Sequence, residues 1–344
     1  MSKKIKFGVI GAGRIGKLHI EHLATRIPEA EIVAVADVNL DVAEAIATQF
    51  RVPTATVDYR ELLDDPEIEA VVICSATDTH AQFTREAAEA GKHIFCEKPI
   101  DFDLERIDEA LTAVEQAGVK FQVGFNRRFD ASFRRVRETV ASGRVGEPHM
   151  LHIISRDPEP PPSIDYIKAS GGIFLDMAIH DFDMARHLVD SEVTEVYATG
   201  NVMIDPQIGE AGDIDTALVT LNFENGVIGT ISNSRKAVYG YDQRVEVFGS
   251  GGMVTAANPT IDFHIVNDSD GMHTAQPPYF FIERYREAYL TELREFLGAI
   301  QNDSPPLVTG EDGRSPVVIG LAAKKSYKEN RPVRLSEIDS SGDK

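Results

Sequence analysis

The sequence is poor in cysteine, lacks tryptophan and contains no long hydrophobic run. Its two cysteines, Cys74 and Cys96, form neither a Cys-x-x-Cys pair nor a zinc-finger spacing. This argues against a disulfide-stapled secreted domain and favours a reducing, cytoplasmic compartment. No apolar stretch approaches the roughly 20 residues of a membrane-spanning helix. Glycines interrupt the apolar start at positions 8, 11 and 13, so no secretion signal is expected.

Positive charge is also scarce. The 344 residues include 35 Lys and Arg against 55 Asp and Glu, which gives a net charge of −20 at pH 7. Nucleic acids and anionic membrane surfaces repel such a chain, so neither is expected as its main partner. Apolar residues make up 42% of the sequence, which is enough for a sizeable core, and the length is typical of about two domains.

The first 124 residues alternate short apolar strands with helices. Strands that alternate with helices require a parallel sheet covered on both faces. The sequence therefore predicts an α/β fold in which residues 1–124 form a doubly wound Rossmann domain. The predicted strands lie at about 5–10, 31–37, 70–74, 93–96 and 120–124, and the helices at about 17–27, 40–50, 79–90 and 103–117.

Residues 125–338 follow a different pattern. Between 192 and 266, β-rich runs succeed one another with only turns between them, which is typical of an antiparallel sheet. We therefore expect a second, α+β domain with a largely antiparallel open sheet. The predicted strands lie at 193–200, 216–223, 227–233, 243–248 and 261–266, and the helices at about 130–142, 174–189, 282–301 and 313–328.

A glycine-rich segment, Gly11-Ala12-Gly13-Arg14-Ile15-Gly16, follows the first strand and opens the first helix. The three glycines permit a tight turn, close approach of the backbone to a pyrophosphate and close packing of the helix on the strand. The N-terminus of the helix then offers N–H groups to phosphates. All of the segment except Ala12 is therefore predicted to bind a dinucleotide. The alternative is a glycine-rich turn without a ligand.

Asp37 supplies the acidic partner of this segment. It ends the second strand, 21 residues after Gly16, where a carboxylate can accept a hydrogen bond from the ribose 2′-OH. The same charge repels the 2′-phosphate of NADP, and the next residues, Val38 and Asn39, supply no arginine to bind it. The pattern predicts NAD as the cofactor, and the alternative is a surface aspartate.

Lys98 lies in the sequence Glu97-Lys98-Pro99, directly after the strand that ends near residue 95. Because the carboxyl ends of parallel strands border the ligand crevice, its ammonium is predicted to lie near the nicotinamide and to hydrogen-bond a reacting oxygen. Pro99 restricts the preceding residue to extended geometry and thereby aims the lysine. The alternative is a solvated loop lysine.

Asp176 and His180 are four residues apart and would share one face of a continuous helix. A neutral imidazole can accept an alcohol proton near neutral pH, and a neighbouring carboxylate stabilises its protonated form. The alternatives are a surface Asp–His pair and a metal site, although no third ligand stands at a recognisable spacing. Histidines that could complete a metal site are His149, His152 and His187.

In two other pairs of residues, the sequence does not decide which member contacts a ligand. Arg127 and Arg128 follow the last strand of the first domain, where one of them could reach a polyol or a cofactor phosphate. The alternative is an ion pair between the two domains, or the basic face of the following helix. Tyr239 and Tyr241 form a polar aromatic turn between strands, and the alternative there is packing within a hairpin.

Three of these motifs together resemble the Gfo/Idh/MocA oxidoreductase family. They are the glycine segment, Glu97-Lys98-Pro99, and the stretch 171–183 that contains Asp176 and His180. The resemblance covers residues 3–338 in order. Within the family it is strongest to the inositol 2-dehydrogenases, through the segments 95–99, 123–130 and 239–242.

The resemblance implies catalytic roles for Lys98, Asp176 and His180, with Lys98 also beside the cofactor. Asp157 falls where inositol dehydrogenases often carry an asparagine. No metal ligand is predicted. The implied substrate contacts are Arg128 (or Arg127), Asp157 and Tyr239 (or Tyr241).

The implied function is NAD-dependent oxidation of a cyclitol, from myo-inositol to 2-keto-myo-inositol (scyllo-inosose), in the cytoplasm. The resemblance also implies a homodimer or homotetramer built through the exposed face of the C-terminal sheet. The same machinery would serve scyllo-inositol, an aldose or a nucleotide-linked sugar. Alternatives from other classes are a non-catalytic NAD-binding regulator, disfavoured by the intact Lys98, Asp176 and His180, and a redox-neutral NAD-using glycosidase.

Overall fold

The computed structural model describes residues 4–339, which form two compact units. Unit 1 contains the residues up to Asn126 together with Glu287–Ser315, and unit 2 contains Arg127–Arg286 and the residues from Pro316 onward. Within residues 4–339, no helix combines the length and the apolar character that crossing a bilayer requires.

Residues 4–339 contain twelve α-helices, fifteen strands and two 3₁₀ turns, Asn126–Phe129 and Leu335–Glu337. The helices are α1 (Arg14–Arg26), α2 (Leu40–Phe50), α3 (Arg60–Asp64), α4 (Thr77–Glu89), α5 (Leu104–Ala117), α6 (Ala131–Ala141), α7 (Ile164–Ala169), α8 (Ile173–Asp176), α9 (Ile179–Val189), α10 (Pro206–Glu210), α11 (Phe281–Gln301) and α12 (Gly310–Glu329). The strands are β1 (Ile5–Ile10), β2 (Ala30–Ala36), β3 (Thr54–Thr56), β4 (Ala70–Ile73), β5 (His93–Cys96), β6 (Phe121–Val123), β7 (Pro148–Arg156), β8 (Val193–Asn201), β9 (Thr216–Phe223), β10 (Ile228–Ser234), β11 (Asp242–Gly249), β12 (Gly252–Ala256), β13 (Ile265–Asp268), β14 (Gly271–Thr274) and β15 (Val333–Arg334).

Unit 1 is built on a six-stranded parallel sheet with the order β3-β2-β1-β4-β5-β6. The order reverses between β1 and β4, which creates a crevice outside the carboxyl ends of these strands. The glycine segment follows β1 and Lys98 follows β5, so both leave the sheet at this edge. The predicted doubly wound fold is confirmed, and β3 and α3 are additions that the apolar pattern did not indicate.

The core of unit 1 is completed by α11, far along the chain. Phe296 packs edge-on against Phe7 and Phe95, with ring centroids 6.4 and 5.9 Å apart. Three more residues of α11, at the spacing of one helix face, are buried in the same core: Leu290, Leu293 and Leu297. The expected division into 1–124 and 125–338 is therefore corrected for residues 287–315, because their apolar side chains fill the core of unit 1.

Unit 2 contains a seven-stranded sheet with the order β12-β11-β7-β10-β9-β8-β15. All neighbouring strands are antiparallel except β7 and β10, which confirms the expected, largely antiparallel sheet. Residues along β9 alternate between buried and exposed, so one face of the sheet is covered and the other is open. The strand predicted at 261–266 instead forms β13, which pairs with β14 in a separate hairpin.

The helix predicted at 174–189 is interrupted near Asp176. α8 ends at this residue, and the N–H of Ala178 donates to the carbonyl of Ile173, five residues back, at 2.9 Å. Helix α12 packs closely here, since a Cβ at Gly320 would lie 2.6 Å from the side chain of Leu175. Asp176 and His180 therefore lie on consecutive short segments and not on one continuous helix.

Candidate active site

The glycine segment forms a tight loop against the end of β4. Gly11 has a φ of +95°, and a Cβ there would lie 2.6 Å from the carbonyl of Cys74. A Cβ on Gly16 would overlap the carbonyl oxygen of Gly11. Glycine is therefore required at both positions by the protein's own packing, as the dinucleotide-binding fingerprint demands.

Gly13, unlike Gly11 and Gly16, is not required by the protein's own packing. It is the residue before α1, and a Cβ on it would meet no protein atom within 4 Å. Gly13 and Arg14 are exposed and Ile15 is half-buried, so the first N–H groups of α1 face open space. The residues thus fit a pyrophosphate group, which needs close backbone approach and the positive end of a helix dipole.

Asp37 lies against this loop. Its Oδ2 accepts a hydrogen bond from the N–H of Ala12 at 2.8 Å, and its Oδ1 accepts one from the N–H of Asn39 at 2.9 Å. These bonds hold the carboxylate at the end of β2, beside the phosphate-binding turn. Each oxygen keeps a lone pair that a ribose hydroxyl can use.

Lys98 follows β5 in a turn that the surrounding structure holds firmly. The Lys98–Pro99 peptide bond is cis. The imidazole of His80, on α4, contacts the carbonyl oxygens of Pro99 at 2.8 Å and of Ser75 at 3.0 Å. Glu97 and Pro99 are buried, whereas Lys98 is half-buried at the edge of the sheet where the glycine loop also lies.

Asp176 in unit 2 is held by two side chains that sequence reasoning missed. Its Oδ1 accepts from the hydroxyl of Tyr166 at 3.0 Å, and its Oδ2 accepts from Arg235 at 3.4 Å. Arg235 is buried and also lies 3.6 Å from Asp213. Tyr166 is on α7 and Arg235 follows β10, so no local spacing in the sequence could have joined them to Asp176.

Asp157 follows β7 near this carboxylate. Its backbone N–H donates to the carbonyl of Ser234 at 2.9 Å, and its carbonyl accepts from the N–H of Ala237 at 2.6 Å. Burial raises the pKa of Asp157 to about 7; the Arg235 cation lowers it and the Asp176 carboxylate raises it. An acid that titrates near neutrality beside a second carboxylate is typical of functional sites.

Arg127 and Arg128 both take part in buried ion pairs within unit 2. Arg127 donates to Asp181 at 2.5 Å, and Arg128 donates to both oxygens of Asp183 at 2.6–3.0 Å. The second oxygen of Asp181 accepts from Asn233 at 2.7 Å. Both ion pairs lie within unit 2 and so differ from the inter-domain pair considered for these arginines, and the predicted substrate contact of Arg128 stays a prediction.

The two tyrosines of the turn before β11 have different surroundings. Tyr239 is 45% exposed; its hydroxyl donates to Asp242 at 2.6 Å and accepts from Arg156 at 3.1 Å. Tyr241 is buried, with its ring edge-on to that of Tyr285. Tyr239 is thus the exposed residue of the two.

Two of the histidines considered as metal ligands, His149 and His152, lie on β7. His152 is on the open face of β7, where its Nδ1 lies 2.6 Å from the Thr230 hydroxyl. His149 is exposed at the start of the same strand and packs against the ring of Phe248.

Comparison with known proteins agrees with this geometry. A family model described as an oxidoreductase family with an NAD-binding Rossmann fold matches residues 5–125, and one for the GFO/IDH/MocA C-terminal domain matches residues 133–255. The chain is 48% identical to a myo-inositol 2-dehydrogenase of Thermotoga maritima over 97% of this chain and 99% of that protein. It is 47% identical to an inositol 2-dehydrogenase of Rhizobium meliloti over 96% and 99% of the two chains.

A solved structure shows the same fold with ligands. The scyllo-inositol dehydrogenase of Lactobacillus casei, crystallised with NAD(H) and scyllo-inositol, superposes with a TM-score of 0.92 at 31% identity, covering 97% of this chain and 100% of that one. Unit 1 thus carries an NAD-binding Rossmann sheet with the glycine loop and Asp37 in place. The chain belongs to the Gfo/Idh/MocA family of NAD-dependent oxidoreductases.

Proposed function

We propose that the protein oxidises myo-inositol to 2-keto-myo-inositol with NAD as the hydride acceptor, as a cytoplasmic step of myo-inositol catabolism. The observation that carries this proposal is the similarity, over almost the whole chain, to two inositol 2-dehydrogenases at 48% and 47% identity. When bound, NAD supplies the redox chemistry, and the protein supplies binding, orientation and electrostatics.

His180 is the proposed general base. It lies half-buried in the first turn of α9, and a neutral imidazole can take the hydroxyl proton as the C–H hydride leaves. Asp176 is the proposed orienting carboxylate for His180 and for a neighbouring substrate hydroxyl. Its bonds to Tyr166 and Arg235 support this role because they hold both oxygens in defined directions.

Lys98 is the proposed electrostatic partner of the reacting oxygen. A held ammonium stabilises the negative charge that develops on oxygen as the proton leaves. Its turn is anchored by His80 and leaves the sheet at the edge where the glycine loop lies. Lys98 is therefore also proposed to contact the cofactor.

Asp37 is the proposed determinant of NAD over NADP. Its carboxylate is fixed beside the glycine loop by two backbone N–H groups, so a 2′-phosphate would meet a negative charge that cannot move away. The proposed substrate contacts are Asp157, Tyr239 and Arg128. The last two already bond to Asp242 and Asp183, which would hold their polar groups in place for a polyol.

A panel of substrates tests the function. Myo-inositol, scyllo-inositol and glucose are each incubated with NAD and with NADP, and reduced cofactor is followed by absorbance. We expect the largest kcat/KM for myo-inositol with NAD. Faster turnover of scyllo-inositol would instead indicate the activity named for the Lactobacillus casei structure. Turnover of none of these substrates would contradict the proposed dehydrogenase function.

We also propose that the protein is a homotetramer assembled through the open face of the unit 2 sheet. Four paired positions on neighbouring strands form an exposed apolar row across this face: Met253, Phe248, Met150 and Ile228. An apolar row of this length is typical of an interface. Light scattering after chromatography should find a tetramer, and Met150→Glu with Ile228→Lys should yield smaller species.

A further inference from the structure

A buried cluster of three titratable side chains lies directly behind Lys98 in unit 1. Nε2 of His19, on α1, is in hydrogen-bond contact with Oε1 of Glu97 at 2.7 Å. Glu292, on α11, places a carboxyl oxygen within 4.8 Å of both. All three side chains are buried, and nothing in the proposed reaction uses them.

Neither carboxyl oxygen of Glu292 has a hydrogen-bond partner among residues 4–339. Burial raises the pKa of Glu292 well above its usual range, and the Glu97 carboxylate raises it further. Burial and the same two glutamates also raise the pKa of the Cys74 thiol, so no thiolate adds charge. A neutral acid at 292 is the state that such a site stabilises.

The donor set His, Glu, Glu also matches the ligands of a divalent cation. The geometry favours a shared proton over a metal ion, because Nε2 of His19 and Oε1 of Glu97 are in direct hydrogen-bond contact at 2.7 Å. Whichever of the two atoms carries the proton, the lone pair of Nε2 is not available to a metal while this bond is formed.

The cluster joins two parts of the candidate site. His19 lies on the helix whose N-terminus is formed by the glycine segment. Glu97 precedes Lys98, and its carboxylate lies 3.0 Å from where a Cβ on Gly124 would stand, so the end of β6 closes over it. Because Glu97 contacts both elements, its side chain fixes the backbone from which Lys98 projects.

We propose that Glu97 is a positioning residue for Lys98, acting through a buried His19–Glu97–Glu292 cluster in which Glu292 holds the proton and Glu97 the negative charge. This inference rests on the proposed dehydrogenase function. The protonation state of Glu292 can be tested without any substrate.

The first test compares Glu97→Ala with Glu97→Gln in the full-length protein. The amide oxygen of glutamine can accept the same bond from His19, whereas alanine removes it. We expect Glu97→Ala to lower kcat for myo-inositol by about 100-fold, as for a catalytic group displaced by about 1 Å, with the KM for NAD changed less than about 3-fold. Glu97→Gln should recover most of the loss. An unchanged kcat in Glu97→Ala, or no recovery in Glu97→Gln, overturns the proposal.

Two controls separate positioning from damage to the fold. Ile46→Ala removes a buried side chain of the same core on α2 and should lower Tm with kcat unchanged. His19→Ala breaks the same hydrogen bond from the other side, so the double variant His19→Ala/Glu97→Ala should lose no more kcat than Glu97→Ala alone. Losses that multiply contradict a shared role.

Two readouts need no substrate. Infrared difference spectra of the parent minus Glu292→Gln at pH 7 should show the C=O band of a protonated carboxyl group, and elemental analysis after chelator dialysis should find no stoichiometric metal. Absence of the band, or one bound divalent ion per chain, overturns the assignment of the proton. If the parent oxidises no polyol, the proposed function fails while these two readouts still decide the state of the cluster.

Discussion

The chemistry of single residues here depends on what holds each side chain. Asp176 is bonded to Tyr166 and Arg235, which come from elements before and after it in the chain. Spacing alone could identify Asp176 and His180 as candidate catalytic residues, because they are four residues apart. It could not nominate Tyr166 or Arg235, because only the folded chain brings those side chains to the carboxylate.

Replacing His180 by alanine tests the proposed base. We expect kcat for myo-inositol to fall by about 10²–10⁴-fold, the usual contribution of a general base. The Kd for NADH, measured by fluorescence titration, should stay within about 3-fold. His152→Ala, on the open face of β7, is the matched control and should keep full activity. An unchanged kcat between pH 6 and 10 would remove His180 from the mechanism.

Replacing Asp157 by asparagine tests its raised pKa. An acid with a pKa of about 7 when folded and 3.8 in the unfolded chain keeps its proton longer in the folded state, so stability falls as pH rises from about 4 to 7. Asparagine mimics the protonated form and removes this loss. Asp157→Asn should therefore raise Tm at pH 8.5 by about 2–4 °C, for about 1 kcal/mol, and by less at pH 5.

The control for this pH effect is Asp215, an aspartate whose pKa is shifted in the opposite direction. Burial raises the pKa of Asp215, but hydrogen bonds from three backbone N–H groups outweigh burial and lower it. Its contribution is present above the unfolded pKa and is lost as pH falls, so Asp215→Asn should lower Tm at pH 8.5. A Tm gain of Asp157→Asn that is equal at pH 5 and pH 8.5 would contradict the raised pKa.

At the scale of elements, periodicity was a good guide where helices pack by one face. Helix α2 has the bounds predicted from the sequence, Leu40–Phe50, and Asn39 caps it by accepting from the N–H of Asp41. The prediction was wrong at 174–189, where nearly every side chain is buried and no apolar stripe marks a break. The close approach of Gly320 to Leu175 is a tertiary contact that no local pattern contains.

The pair Arg128–Asp183 links the segment before α6 to α9 and gives an element-scale prediction. Asp183→Ala leaves a buried guanidinium without its carboxylate and should cost about 3–5 kcal/mol of unfolding free energy in urea titrations. Arg128→Met with Asp183→Leu replaces both charges by apolar groups and should restore most of this stability.

The same double variant tests the proposed substrate contact of Arg128. If the guanidinium binds substrate as well as Asp183, the KM for myo-inositol should rise by about 10-fold or more when stability is restored, because a charged hydrogen bond is worth about 1.5–3 kcal/mol. An unchanged KM would assign Arg128 to the fold alone.

At the scale of the whole molecule, the two units are not two consecutive pieces of chain. Residues 287–315 belong to unit 1, where Phe296 lies against Phe7 and Phe95. A fragment of residues 1–126 should therefore lack a cooperative thermal transition. Fusion of residues 287–315 through a flexible linker should restore one by circular dichroism. A stable 1–126 fragment would contradict the contribution of α11 to this core.

Local spacing was sufficient for the dinucleotide-binding loop of this protein and its acidic partner. A strand, a glycine loop, a helix and an acidic strand end are neighbours in sequence, and backbone sterics allow few arrangements of them. Long-range packing decided the rest. It placed residues 287–315 in unit 1, broke the helix between α8 and α9, and chose the partners of Asp176, Arg128 and Glu97. Each of these depends on side chains that become neighbours only when the apolar core excludes water, and such distances are not encoded in local periodicity.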